Sequence, residues 1–241
     1  DPDFVDIPIP ELVSKGYALS RFAGFDVEAA SDSDAIGPGL TDLPRESRET
    51  THFSVADGDG NLVSLTTTLN SGYGNKIVVP GTGILLNNEM NDFSIKPNTP
   101  NQYELIGREA NAIGPGKRML SSMSPTIVTK DGAPVLATGS PGGSTIIMTT
   151  LQVLINVIDH GMPIEDAVAQ PRIHHQWRPE RVTHERYALS KETRDVLEAM
   201  GHELRASRWG RGIGDANSIE IRDGILRGTK DPRAVGAAIG Y

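Results

Sequence analysis

The sequence predicts an α+β layered domain built mainly from antiparallel strands, and three observations carry that prediction. First, two hairpin signatures are present: His52 to Ala56 and Leu62 to Leu69 flank Asp57-Gly58-Asp59-Gly60-Asn61, and Pro125 to Lys130 and Pro134 to Thr138 flank Asp131-Gly132. Second, an apolar run of helix length, Ile146 to Ile158, follows the second hairpin. Third, 26 glycines and 16 prolines beside only 5% aromatic residues fit many turns between short strands rather than a helical bundle. Strands joined by tight turns, with helices grouped outside them, pack as layers around one core. A chain of 241 residues is long enough for one large domain of that kind.

The elements follow in order. Residues 1–49 contain Pro2, Pro8, Pro10, Pro38 and Pro44, with one short helix expected at about Leu12 to Phe22. From Ser31 to Glu49 the composition is polar and rich in turn formers, so this stretch is expected to be exposed and mobile. With neither a signal peptide nor an initiator methionine at Asp1, the chain is expected to be the later part of a longer precursor. After the first hairpin comes the glycine-rich loop Gly72 to Gly83, then Gly83-Ile84-Leu85-Leu86-Asn87-Asn88, which reads as a short apolar strand. The second hairpin leads through Gly139-Ser140-Pro141-Gly142-Gly143-Ser144 into a helix beginning near Thr145. That helix is apolar on nearly every side, which predicts a position sandwiched between layers. Further helices are expected at Pro163 to Ala169 and Lys191 to Met200, and strands at Ser218 to Arg222 and Ile225 to Arg227.

Composition narrows the function. A formal charge of -8, with no run of lysine and arginine, argues against a nucleic-acid or anionic-membrane surface. With no cysteine there is no disulfide, no thiol nucleophile and no thiolate metal site. The apolar run Ile146 to Ile158 is interrupted by Gln152 and Asn156 and is too short to span a bilayer.

The chemistry centres on Thr50. It opens Thr50-Thr51-His52-Phe53-Ser54-Val55, where a loop-like stretch gives way to a strand pattern, a position suited to a cleavage point between Glu49 and Thr50. A threonine hydroxyl needs a base before it can attack a carbonyl. Once the preceding peptide bond is cut, the residue's own α-amine, of pKa about 7.7–8.0, serves as that base. This is the chemistry of an N-terminal-nucleophile hydrolase. The bland alternative is that Thr-Thr merely starts a strand, as β-branched residues do. In the next strand Thr66, Thr68 and Asn70 share one face, and they need hydrogen-bond partners or water: either Thr68 supports the nucleophile and Asn70 holds substrate, or this is an edge strand with one wet face.

Glu89 and Asp92 lie three apart in Asn87-Asn88-Glu89-Met90-Asn91-Asp92-Phe93-Ser94, a spacing suited to clamping an ammonium group. A solvated turn is the alternative, and no nearby histidine completes a metal set. Ser121 and Ser122, ahead of a strand, offer hydroxyl donors to a carboxylate, although such serines usually only make turns. Gly142 and Gly143, between a strand and a helix, present backbone N–H groups that can converge on an oxyanion. The same turn could hold phosphate, but it lacks the lysine of a P-loop. No Gly-x-Ser-x-Gly elbow occurs for a serine triad. His174 and His175 are adjacent in a strand pattern, which predicts one in the core and one at the surface.

These runs, together with Arg118-Met119-Leu120-Ser121-Ser122-Met123-Ser124-Pro125-Thr126, Pro171-Arg172-Ile173-His174-His175-Gln176-Trp177 and Asp231-Pro232-Arg233, resemble the γ-glutamyltranspeptidases. The resemblance covers the family's small subunit as residues 50–241, with residues 1–49 as the end of its large subunit. It implies a four-layer αββα N-terminal-nucleophile fold and a precursor that cuts itself between Glu49 and Thr50. It further implies that Thr50 attacks the γ-carbonyl of glutathione or another γ-glutamyl amide, and that water or an amino-acid or peptide acceptor resolves the ester. On that resemblance Thr68 bonds the nucleophile, Asn70, Glu89 and Asp92 hold the α-amino end, Ser121 and Ser122 bind the α-carboxylate, and Gly142 and Gly143 form the oxyanion hole. No cofactor is implied. The large subunit is the implied partner. It supplies a carboxylate-binding arginine that residues 1–241 do not include, so little turnover is expected from this chain alone. Export to a periplasm or medium is the family's usual location. Asn91, where many relatives carry aspartate, departs slightly from the pattern.

Two other readings compete. A glutaryl or cephalosporin acylase of the same superfamily would act on substrates without an α-amine, which leaves the Glu89 and Asp92 clamp unexplained. A non-catalytic module or stable precursor fragment would keep the pocket but never process at Thr50.

Overall fold

The computed structural model describes residues 1–37, 49–99, 106–207 and 212–240, the side chain of Glu49 excepted. In chain order the strands are β1 (Glu49–Ala56), β2 (Leu62–Asn70), β3 (Thr126–Lys130), β4 (Ala133–Thr138), β5 (Ile173–His174), β6 (Val182–His184), β7 (Leu204–Ala206), β8 (Ser218–Arg222) and β9 (Ile225–Thr229). The helices are α1 (Ile9–Leu12), α2 (Lys15–Phe22), α3 (Ser33–Ile36), α4 (Ile146–Ile158), α5 (Ile164–Ala169) and α6 (Lys191–Ala199).

Both predicted hairpins form. In the first, Asp57 closes the turn by accepting from the amides of Asp59 (3.0 Å) and Asn61 (2.9 Å) and from Asn61 Nδ2 (2.7 Å). The acidic, glycine-rich run is therefore a side-chain-stapled turn. The second hairpin joins β8 and β9 in a fully antiparallel sheet of order β3-β4-β8-β9.

α4 and α5 cover this sheet through a core of Leu136, Val153, Ile164, Val168 and Ala216, ringed by Val128, Val135, Leu154 and Val157. Each large aliphatic side chain so buried contributes about 1.5–3 kcal/mol. Along β4 both Leu136 and its neighbour Ala137 are buried, so both faces of the strand are covered. The cover beside the helices is the β1–β2 hairpin, which packs on β3, β4 and β8.

That hairpin is amphipathic in an unusual sense. Its inner face is polar: Ser64 Oγ donates to Thr138 O (2.8 Å) and accepts from Thr126 N (3.1 Å), and Ser54 Oγ donates to Asn217 O (3.1 Å). Its outer face carries Phe53, Val55, Val63 and Leu65, exposed by 44, 50, 47 and 38%. The described residues thus supply three layers, hairpin, sheet and helices, and none of them covers the hairpin's outer side.

Several expectations need correction. The run Gly83 to Asn88 is not a strand; it makes a single bridge, Val78 to Leu85, inside a loop bonded to itself (Asn75 N to Leu86 O at 3.0 Å). α4 is not sandwiched, because Ile147, Leu151 and Ile158 lie 54, 43 and 59% exposed. Its apolar far side meets no layer among the described residues. The helix expected at about Leu12 to Phe22 is α2, which starts only at Lys15 because Ser14 caps it by accepting from Tyr17 N (3.1 Å); α1 precedes it and ends at Leu12. Of the stretch expected to be exposed and mobile, residues 38–48 lie outside the described residues, but α3 is docked. Ser33 is buried, its amide and hydroxyl bond Glu180, and Trp177 Nε1 donates to Ser33 O (2.6 Å). A small third sheet, β5-β6-β7, includes a parallel pair, β6 and β7, that the sequence pattern did not disclose. His174 is buried and His175 partly exposed, as predicted.

Candidate active site

Thr50 lies at an irregularity in the β1–β2 ladder. Glu49 pairs with Asn70 and Thr51 with Thr67, so one residue, Thr50, stands opposite two, Thr68 and Leu69. Such a bulge re-aims side chains at the end of a strand pair. It sets Thr50 across from Thr68 while the inward face of β2 runs on to Asn70. Thr68 Oγ1 accepts from Asn70 N (2.8 Å), and Asn70, fully buried, adopts a left-handed backbone of φ 71°. Asparagine tolerates that conformation better than most side chains.

From there the hydrogen bonds lead to Asn88, the residue before Glu89. Asn70 Nδ2 donates to Asn88 O (2.9 Å), Asn88 N donates to Leu69 O (3.1 Å), and Asn88 Oδ1 accepts from Ser71 N (3.0 Å). These bonds fasten the return of the long loop beside the end of β2. The next four residues, Glu89–Asp92, form one 3-10 turn. Asp92 is 2% exposed, and Glu89 Oε1 is buried without a hydrogen-bond partner. Burial, followed by hydrogen bonding to and repulsion from Asp92, pushes the Glu89 carboxyl up to about 8.

The serines are joined to this turn through Asn111. Its Nδ2 donates to Asp92 O (2.6 Å) and its Oδ1 accepts from Leu120 N (3.0 Å), so one buried amide sets the spacing between the carboxylates and Ser121. Ser121 is exposed and its hydroxyl accepts from Met123 N (3.2 Å). Ser122 is buried and donates to Gly143 O (3.1 Å), tying the serine pair to the glycine turn. Gly142 and Gly143 have φ of 134° and 58°, in a turn that runs directly into α4. Direct bonds therefore link Thr68 to Asn70, Asn70 to the segment bearing Glu89 and Asp92, and Ser122 to Gly143.

Three contributors escaped sequence reasoning. Asn88 and Asn111 act through amides, and only the doubled asparagine of Leu86-Asn87-Asn88-Glu89 hinted at one of them. His52, two residues from Thr50, is buried, with Nδ1 2.8 Å from Thr66 Oγ1 and Nε2 3.2 Å from Ser54 Oγ. Its ring lies so close to Gly139 that a Cβ there would meet Cε1 at 2.4 Å. Glycine at 139 is what lets the strand bearing Thr50 approach the segment leading to Gly142. Desolvation outweighs the hydrogen bonding of Asn217 and lowers the His52 pKa to about 4, so the ring is neutral near pH 7.

The family model for gamma-glutamyltranspeptidase matches residues 1–241. This chain belongs to the γ-glutamyltranspeptidase family. It is 49% identical over 236 residues to the glutathione hydrolase proenzyme of Escherichia coli, covering 98% of this chain and 40% of that relative. The chain thus spans about two-fifths of that relative's length. Among solved structures it resembles the γ-glutamyltranspeptidase of Pseudomonas nitroreducens complexed with L-DON (48% identity, TM-score 0.74, 79% of this chain and 99% of that one). It also resembles the cephalosporin acylase of Bacillus halodurans (28% identity, TM-score 0.81, 100% of this chain and 41% of that one). The α+β architecture of this family member is that of the N-terminal-nucleophile hydrolases.

Proposed function

We propose that this chain is the catalytic part of a γ-glutamyl hydrolase and transferase that matures by cutting itself between Glu49 and Thr50. The observation that carries the reading is the Glu89 and Asp92 pair, two carboxyl groups one 3-10 turn apart, in a turn whose preceding residue, Asn88, is bonded through Asn70 to Thr68. An acyl group bearing an α-ammonium would bring a positive charge to this pair, with its α-carboxylate toward Ser121 and Ser122. Ser122 would first have to turn its proton away from Gly143 O.

In maturation, Thr50 Oγ attacks the Glu49 carbonyl, the peptide C–N bond breaks, and the Thr50 nitrogen leaves as an amine. Water then hydrolyses the resulting ester and frees the Thr50 terminus. In turnover that amine takes the proton of Thr50 Oγ as it attacks the γ-carbonyl, and the N–H groups of Gly142 and Gly143 receive the developing oxyanion. The leaving amine departs protonated, and water or an acceptor amine releases the γ-glutamyl group. The structural match supports the cut. The solved P. nitroreducens chain is matched over 99% of its length by 79% of this chain, roughly the share that residues 50–241 make up.

The bare apolar face of Phe53, Val55, Val63 and Leu65 supports a further partner, the large-subunit region that relatives carry ahead of this segment. An exported enzyme is part of the same proposal. Likeness to the cephalosporin acylase favours a second reading, acyl transfer on glutaryl groups, but such groups offer nothing to Glu89 and Asp92.

One experiment separates these readings. The chain is expressed with the preceding region, followed by intact mass and N-terminal sequencing beside Thr50→Ala, and assayed on γ-glutamyl and glutaryl anilides. A new terminus at Thr50, absent from the variant, with preference for the γ-glutamyl anilide is expected. An uncut chain would overturn the self-processing, and preference for the glutaryl anilide would overturn the substrate assignment.

A further inference from the structure

The turn at Gly142 and Gly143 is set by two hydroxyls that touch no reacting atom. A peptide unit is planar and trans, so the direction of a carbonyl fixes the opposite direction of the N–H that follows it. The N–H of Gly142 shares its plane with the carbonyl of Pro141, and the N–H of Gly143 shares its plane with the carbonyl of Gly142. Both carbonyls are held. Ser140 Oγ donates to Pro141 O at 2.6 Å, and Thr145 Oγ1 donates to Gly142 O at 2.8 Å, joined there by Thr145 N at 3.2 Å.

Ser140 is fully buried, and its oxygen also accepts from Asp215 N at 2.8 Å, which leaves its one proton for Pro141. The Asp215 amide is fixed in turn. Arg172 Nη1 donates to Ile213 O (2.7 Å), Ile213 N donates to Glu185 (2.7 Å), and Ala216 N donates to Asp231 (2.7 Å), so charged side chains grip the loop on either side of Asp215. Thr145 is fitted closely too: a Cβ on Gly142 would fall 2.4 Å from its Oγ1. Glycines have broad backbone freedom; without these hydroxyls the Pro141 carbonyl loses its bond from Ser140, and the Gly142 carbonyl keeps only the longer one from Thr145 N.

We propose that Ser140 and Thr145 are positioning residues, each aiming one N–H group of the oxyanion hole through the carbonyl of the same peptide. This rests on the role given to Gly142 and Gly143 above. An oxyanion develops only on the way to the transition state, so badly aimed donors weaken the chemical step and leave ground-state binding nearly untouched. A merely structural role would instead lower stability or substrate affinity.

The test uses the matured enzyme, chain plus preceding region, with γ-glutamyl-p-nitroanilide. Thr145→Val keeps the shape and removes the hydroxyl; Thr145→Ser restores it; Ser140→Ala removes the other brace. Thr145→Val and Ser140→Ala should each lower kcat by about 10- to 100-fold, less than the roughly 100- to 1,000-fold that outright loss of an oxyanion donor produces, with KM changed less than about twofold. Thr145→Ser should recover most of the loss. If Thr145→Val fails to fold, Ser140→Ala carries the same test on the other peptide plane. The proposal is overturned by unchanged kcat in the hydroxyl-free variants, by a loss confined to KM, or by a Thr145→Val defect that Thr145→Ser does not relieve. A wild-type enzyme that does not turn over the anilide at all would instead defeat the γ-glutamyl assignment, and this inference with it.

Discussion

Two clusters of ionisable groups in this molecule are built differently. One consists of Arg172, Asp231, Arg233 and Glu185: Arg172 Nη2 meets Asp231 at 2.7 Å, Arg233 meets Asp231 at 3.0 Å, and Arg233 spans both oxygens of Glu185 at 2.7 Å. Two positive charges face two negative ones, and main-chain amides and carbonyls complete their hydrogen bonding. The other consists of Glu89 and Asp92, two acids drawn together so that repulsion adds to burial. A cluster that pairs opposite charges holds the backbone in place, whereas two acids side by side favour a ligand that brings positive charge.

Breaking the balanced cluster should have the largest effect. Asp231→Ala leaves the guanidinium of Arg172 buried and short of its partner, and should cost about 3–5 kcal/mol of stability. Urea unfolding of the purified chain checks this, and a loss under about 1 kcal/mol would mean that the network is not a scaffold.

The acidic pair should respond in the other sense. Glu89→Gln removes a charge that burial and Asp92 disfavour, so stability at pH 8 should stay level or rise, while KM for a γ-glutamyl anilide climbs about tenfold or more as a charge-assisted bond is lost. Unchanged KM would remove Glu89 from the ammonium site.

The smallest effect is a difference in pH dependence. The Glu89 carboxyl is raised in the fold to about 8 from an ordinary value of about 4.5, so its favourable contribution is present below about 4.5 and is lost as pH rises through 8. For Glu185 burial works against the ionised form, but hydrogen bonds from Arg233 and from the amides of Ile213 and Arg172 outweigh it and hold the carboxyl below its usual range. Its contribution is present above about 4.5 and is lost as pH falls. Glu89→Gln should therefore flatten the alkaline side of a melting-temperature profile and Glu185→Gln the acid side. Equal changes on both sides in either variant would contradict the assignment.

Much of this was legible in the residues because the signals were local. Asp57 to Asn61 closes a turn with its own side chains, and Asp131-Gly132 turns the second hairpin by backbone conformation alone, with positive φ at both residues. Period two put Thr66, Thr68 and Asn70 on one face, and in the structure none of the three is exposed. The spacing of Glu89 and Asp92 was readable as a pair, but the shift in Glu89 was not, since it depends on how far the turn is buried.

What could not be read was which way each face would look. An alternating strand ordinarily buries its apolar side, yet β1 and β2 turn His52, Ser54, Ser64 and Thr66 inward and leave Phe53, Val55, Val63 and Leu65 outside. α4 likewise leaves Ile147 and Ile158 exposed despite its uniform apolarity.

The sequence by itself determined the hairpins, the helices after them, and the order of the chemical groups along the chain, because turn chemistry and periodicity act over a few residues. Only the tertiary structure decided that Asn88 and Asn111 would fasten the acidic turn, that a neutral His52 would lie against Gly139, and that Ser140 and Thr145 would hold two particular carbonyls. Those contacts join residues that no local rule pairs, and their strength depends on burial and on angles that exist only once the layers have packed.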